Sequence, residues 1–145
     1  MTETPILTQL ASLATGSIPS EVIEGIPARV IDIVGIAVRA STLDTSRSIV
    51  GFSTDQGTAP QSTAIGASAK MSAAEAAFVN GVLAHSLDYD DTHLPSILHP
   101  SASVVPAALA AAEWVGASGS ELLEAVTVGL EIAVRLGMGG YDPVG

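Results

Sequence analysis

SAAEAAFVNGVLAHSLDYDDTHLPSILHPSASVVPAALAAAEWVG, running from Ser72 to Gly116, is the stretch that decides the fold. Ser72 followed three residues later by Glu75 has the spacing of a capping box, in which a hydroxyl and a carboxylate satisfy free N–H groups at a helix start. The helix predicted from there through Leu87 is apolar on nearly every face. A second helix is predicted from about Val104-Val105-Pro106 through Ala107 to Val115, with Gly116 ending it. Helices that are hydrophobic all round must be buried on all sides. A domain of this size buries only about 70% of its unfolded surface and leaves most helices half exposed. The pattern therefore points to helices that belong to a larger body, through further sequence, a partner subunit or both.

Working outward, Ser118-Gly119-Ser120-Glu121 repeats the capping-box spacing. It opens a last helix carrying Leu122, Leu123, Val126, Leu130, Ile132, Ala133 and Leu136, with Gly137, Gly139 and Gly140 expected to stop it and Glu131 placed to pair with Arg135 one turn on. Toward the N-terminus, Thr4-Pro5 reads as an N-cap followed by Pro at the first helical position, ahead of a short amphipathic helix to Gly16. Ser20 is expected to cap the next helix, whose stripe includes Val22, Ile23, Ile26, Val30, Ile33, Val34, Ala37 and Val38. Pro27 kinks it or divides it in two. Ser41 to Lys70 is Ser/Thr/Gly/Gln-rich and reads as loop, with Ile49 to Phe52 and Thr63 to Gly66 as the only strand-like runs. There is no internal repeat and no shift in composition to mark a domain boundary.

The 145 residues are 48% hydrophobic but only 3% aromatic, a composition of Ala, Val, Leu and Ile that suits closely packed helices and excludes disorder. Fifteen acids against five bases give a net charge of −10, which argues against nucleic acid or an anionic membrane surface as partner. With no cysteine there is no disulfide, thiol nucleophile, Cys-held zinc or Cys-held iron–sulfur cluster in this chain. The longest stretch without charged residues, Thr92 to Ala112, holds three prolines and two histidines and does not read as a membrane span. Glu3 stands where a secretory signal carries positive charge, so a cytoplasmic protein is expected.

One constellation carries chemistry. All three histidines, His85, His93 and His99, fall within fifteen residues that also hold Asp88, Asp90 and Asp91. The segment leaves a helix, passes an acidic turn and enters a proline-bounded loop, a place where binding and catalytic groups concentrate. His85 and Asp88 are three apart and share a face if the helix persists, so the carboxylate would fix the imidazole tautomer. Plainer readings exist for each residue taken alone. Asp90, Asp91 and His93 read equally well as a solvated turn, His85 as a core histidine, and His99 as a loop-shaping residue before Pro100. A metal site on His85, His93 and His99 fits the residue types but matches no familiar spacing.

The block Ala77-Phe78-Val79-Asn80-Gly81-Val82-Leu83-Ala84-His85-Ser86-Leu87-Asp88-Tyr89-Asp90-Asp91-Thr92-His93, with His99-Pro100-Ser101-Ala102 and Val105-Pro106-Ala107, closely resembles the MmgE/PrpD family. The likeness continues through Gly116 to Gly119, Glu121 to Ala125 and Gly129 to Gly137, and upstream around Ile31 to Gly35. It implies an all-α helical bundle corresponding to the N-terminal part of the family's helical domain. It also implies a homodimer working without metal or organic cofactor on small di- and tricarboxylates, by dehydration, decarboxylation or epimerisation. Carried over by position, the catalytic residues are Asp88, Thr92 and His99. His99 is expected to transfer a proton or bind a carboxylate, Asp88 to orient a base or substrate hydroxyl, and Thr92 to hydrogen-bond a carboxylate. His85, Asp91 and His93 are secondary substrate-binding candidates.

Family members run to several hundred residues, with a smaller α/β domain and cationic residues beyond the point corresponding to Gly145. One lysine, Lys70, and four arginines are few for a polycarboxylate. Residues 1–145 are therefore expected to form a partial family domain, inactive without the C-terminal remainder and assembling as a homo-oligomer or with a complementary C-terminal subunit. The alternative is a non-catalytic helical interaction subunit that keeps the family fold.

Overall fold

The computed structural model describes residues 5–56 and 59–140, and these form an all-α fold. The helices are α1 (Ile6–Ala14), α2 (Ser20–Ile23), α3 (Ile26–Ser41), α4 (Asp44–Asp55), α5 (Ala73–His85), α6 (Pro100–Val115) and α7 (Gly119–Gly140), with a 3-10 turn over Leu94–Ser96. Among the described residues no helix is long and apolar enough to cross a membrane.

Helix α5 is the centre. It packs most extensively on α6 and also against α3 and α4, while α7 covers the far side of α6. One core cluster joins Ala37 and Ala40 of α3 to Ala76, Val79 and Leu83 of α5 and Ala110 of α6. The other joins Ile26 and Ile33 to Ala84, Ala102, Val105 and Val126. Alanine at so many contacts lets helix axes approach closely, so the aromatic-poor composition builds a dense core without large side chains.

Capping chemistry accounts for the helix starts on either side of this core. The Ser72 hydroxyl accepts from the Glu75 N–H at 3.3 Å. At α7 the box is reciprocal, with the Glu121 N–H donating to Ser118 Oγ while the Ser118 N–H and hydroxyl both donate to Glu121 Oε2 at 2.7 Å. Gly116 ends α6 in the left-handed conformation, φ 69, as glycine at that position allows. Glu131 and Arg135 pair as spaced.

Several boundaries differ from the sequence pattern. Pro5 is itself the cap of α1, and Thr4 lies outside the described residues. Ser20 is the first residue of α2 and caps nothing, with Pro19 before it. The long helix is indeed divided, at Glu24-Gly25, because Pro27 suits only the first turn of α3. Its buried face is Ile26, Ile33, Ile36, Ala37 and Ala40, while Val22 and Val38 are exposed. Helix α5 stops at His85 rather than Leu87, and α6 begins at Pro100, four residues before the expected start.

The largest difference is α4, in a stretch expected to be loop. Its inward positions are Ser46, Ile49, Val50 and Ser53, a helical spacing in which the two buried serines hide the apolar stripe. The other strand-like run, Thr63 to Gly66, joins no sheet among the described residues: it ends in a turn at Ile65-Gly66, with Gly66 at φ 85 and the Ala67 N–H donating to the Ala64 carbonyl at 3.1 Å, and its other backbone groups bond to side chains. Asn80 accepts from the Ile65 N–H at 2.8 Å and donates to the Thr63 carbonyl at 2.9 Å. Glu113 accepts from the Thr63 N–H and hydroxyl at 2.5 and 2.7 Å and pairs with Lys70 at 2.9 Å.

Gly137 and Gly139 do not stop α7, which runs through to Gly140. A Cβ at Gly137 would stand 2.6 Å from Leu98 Cδ1 and 2.7 Å from Ser96 Cβ. This glycine serves close approach between α7 and the 3-10 turn rather than termination.

Gly137→Ala gains helix propensity but overpacks the turn, so it should lower unfolding stability by about 1–3 kcal/mol in urea titrations. The Lys70 and Thr63 bonds hold the Glu113 carboxyl down from 4.5 to about 2. Its stabilising contribution is thus fully present above 4.5 and is lost as pH falls through about 2. Glu113→Gln should destabilise at neutral pH by less than about 1 kcal/mol, since the pair is part-exposed. The difference from the unsubstituted chain should close across that acid window.

Candidate active site

The loop from α5 to α6 is shaped by two left-handed residues, Asp88 (φ 55) and Ile97 (φ 53). Asp tolerates this region, whereas a β-branched residue there is strained. Asp88 turns the chain as it leaves α5, its N–H donating to the His85 carbonyl at 3.1 Å. Between them the loop closes on itself, the His93 N–H donating to the Leu98 carbonyl at 2.9 Å and His93 Nδ1 meeting Ser96 Oγ at 2.8 Å.

The turn brings Asp90 back beneath the end of α5. Its side chain is 0% exposed, so it is no solvated turn residue. Both carboxylate oxygens lie 3.1 Å from His85 Nδ1. His99 Nδ1 approaches Oδ2 to 3.3 Å, within ion-pair range though without hydrogen-bond alignment, and that nitrogen is buried with no hydrogen-bond partner. The two imidazoles meet edge to face, centroids 5.0 Å apart. His85 therefore pairs with Asp90 and not with Asp88, because the helix no longer persists at Asp88.

Donor atoms of His85, Asp88, Asp90 and His99 all lie within 4.8 Å of one another, the set among the described residues that offers a metal its ligands. His93 is not in it. A groove of about 640 Å³ between α5 and α6 is lined by His85 and His99 together with Phe78, Gly81, Val82, Leu98 and Ala102. Thr92 and His93 instead line a neighbouring pocket of about 460 Å³, bounded by Arg29, Asp91 and Glu131. The structure thus unites His85, Asp88 and His99 and sets Thr92 and His93 to one side.

Asp91 is occupied by the fold. It accepts from the Ser101 N–H at 3.1 Å and the Ser101 hydroxyl at 2.8 Å, capping the first turn of α6, and it pairs with Arg29 of α3. This carboxylate suits its place beside the positive end of a helix. Asp91→Ala should cost about 1–2 kcal/mol of stability through loss of the cap. Asp91→Asn should cost less in the same denaturation series.

Asp90 is the site residue that sequence reasoning passed over, since an acid five positions after a helix-end histidine has no periodic signature. Arg29 was equally hidden, its partner being 62 residues away.

The model of the MmgE/PrpD N-terminal domain family matches residues 6–141. Cis-aconitate decarboxylase of Homo sapiens is 49% identical over 65 residues, and that of Mus musculus 48% over 65. In each case the match covers 42% of this chain and 13% of the relative, so the similarity spans a small part of those proteins. No solved structure matches the chain.

Proposed function

The chain belongs to the MmgE/PrpD N-terminal domain family, and from that premise we propose that it supplies one wall of the active site of a lyase acting on di- or tricarboxylates. The observation that carries this reading is the convergence of His85 and His99 on buried Asp90 at the edge of the α5–α6 groove. Loss of water or CO2 next to a carboxylate, or inversion there, needs a group that moves a proton at the carbon acid. His99 takes that role, with Asp88 beside it to orient a substrate hydroxyl or the base. Thr92, in the adjoining pocket, hydrogen-bonds a distal carboxylate. The similar proteins of known activity are cis-aconitate decarboxylases, which supports an unsaturated tricarboxylate as the first substrate to test.

Charge argues that this wall is incomplete. Lys70 pairs with Glu113, Arg29 with Asp91, Arg47 with Asp44 and Arg135 with Glu131, while Arg39 donates to Thr42. None of these cations lines the groove of His85 and His99, and Arg29, which bounds the Thr92 pocket, is already paired with Asp91. A polyanion bound there requires cations from further polypeptide, either a second copy or a complementary C-terminal subunit. The exposed apolar residues Phe78, Val82, Trp114 and Val115 give such polypeptide a surface to cover. They equally favour the second reading, a non-catalytic helical subunit that keeps the fold for assembly.

The purified chain alone should show no turnover of cis-aconitate. A chimera carrying residues 6–141 in place of the matching domain of the human decarboxylase should turn over cis-aconitate or a related carboxylate. It should lose about 100-fold or more on His99→Ala. Activity of the isolated chain overturns the incompleteness. A folded chimera that is inert, or indifferent to His99→Ala, overturns the lyase reading and leaves the assembly subunit.

A further inference from the structure

Asp90 is a carboxylate in an unfavourable place. Its side chain is fully buried, and the polar partners that the described residues offer it are two imidazoles and no guanidinium or ammonium. A buried carboxylate without donors is heavily penalised. Each ring approaches through Nδ1, at 3.1 Å for His85 and 3.3 Å for His99. A neutral imidazole has one N–H, and which nitrogen carries it is set by the partner that the ring faces. With His85 Nδ1 hydrogen-bonded to the carboxylate, its proton sits on Nδ1 and its lone pair on Nε2, while His99 Nδ1 faces the same carboxylate at ion-pair distance without hydrogen-bond alignment. His99 Nδ1 is buried although about a third of its side chain (34%) is exposed, so the exposed part of the ring lies away from Asp90.

We propose that Asp90 is the positioning residue of this site, one buried carboxylate that fixes both His85 and His99 as Nδ1–H tautomers and leaves two Nε2 lone pairs to serve the α5–α6 groove. The role rests on the proposed lyase reading for its purpose, but the tautomers themselves do not. It also sets the site apart from a metal centre built of the same residues. A metal held at these Nδ1 atoms would take their lone pairs, which demands the opposite tautomer at both rings. As a proton-transfer device, the pair offers two acceptors anchored at one point and 5.0 Å apart by ring centroid, and whichever Nε2 takes the substrate's proton becomes the donor that can return that same proton. Asparagine cannot replace Asp90 here, because its single carbonyl oxygen accepts while its amide donates.

The test is nitrogen–proton correlation NMR of the full chain labelled at its histidine rings, in mildly alkaline buffer, with His85→Gln, His93→Gln and His99→Gln variants for assignment. His85 and His99 should both show a protonated Nδ1 and a bare Nε2. In Asp90→Asn, one or both should switch to, or average with, the Nε2–H form. An Nε2–H tautomer at His99 in the unsubstituted chain overturns the proposal, as does stoichiometric Zn2+ uptake that is abolished in Asp90→Asn. Should Asp90→Asn fail to fold, the tautomers of the unsubstituted chain decide the matter alone. In the chimera, Asp90→Asn should lower kcat about as severely as His99→Ala while leaving KM little changed. Tautomers as stated with an inert chimera would sink the lyase reading and spare this one. An active chimera with reversed tautomers would do the opposite.

Discussion

The close seating of α5 on α6 is the constraint from which the remaining structure follows. Gly81 faces the Ala102 carbonyl oxygen, where a Cβ would sit in ordinary contact at 3.5 Å, and Ala76, Ala84 and Ala110 keep the side chains small along the helices' buried faces. Pro106 sits inside α6 and has no N–H for the Ala102 carbonyl, which faces Gly81 instead. Two helices held this closely fix the ends of the loop between them. That loop must then leave at His85 and return at His99 within a short distance.

The short span explains the strain and the buried charge together. Left-handed turns at Asp88 and Ile97 compress the loop, and the compression drives Asp90 beneath the helix end where two imidazoles receive it. Asp91, one residue on, points the other way and ties the loop to α3 and α6 through Arg29 and Ser101. Adjacent carboxylates thus divide the labour. One holds the scaffold, and the other holds the chemical groups.

Much of the fold was legible because it is local. Both capping boxes, the division near Pro27, the Gly116 stop and the Glu131–Arg135 pair all depend on residues within one helical turn of each other. Helix α4 was not legible, since Ser46 and Ser53 occupy its buried face and hide the apolar stripe. Gly137 misled for a related reason. Its role as a space for Leu98 and Ser96 exists only when α7 and the 3-10 turn are brought together.

The candidate site divides in the same manner. Sequence alone determined that three histidines and three aspartates would crowd one inter-helix loop, and which family's pattern they follow, because both are matters of composition and order. Only the tertiary structure decided which acid meets which imidazole. The pairing of His85 with Asp90, the approach of His99, and the separation of Thr92 into a neighbouring pocket depend on backbone angles at Asp88 and Ile97 and on helices distant in sequence. Spacing along the chain cannot encode a reversal of direction.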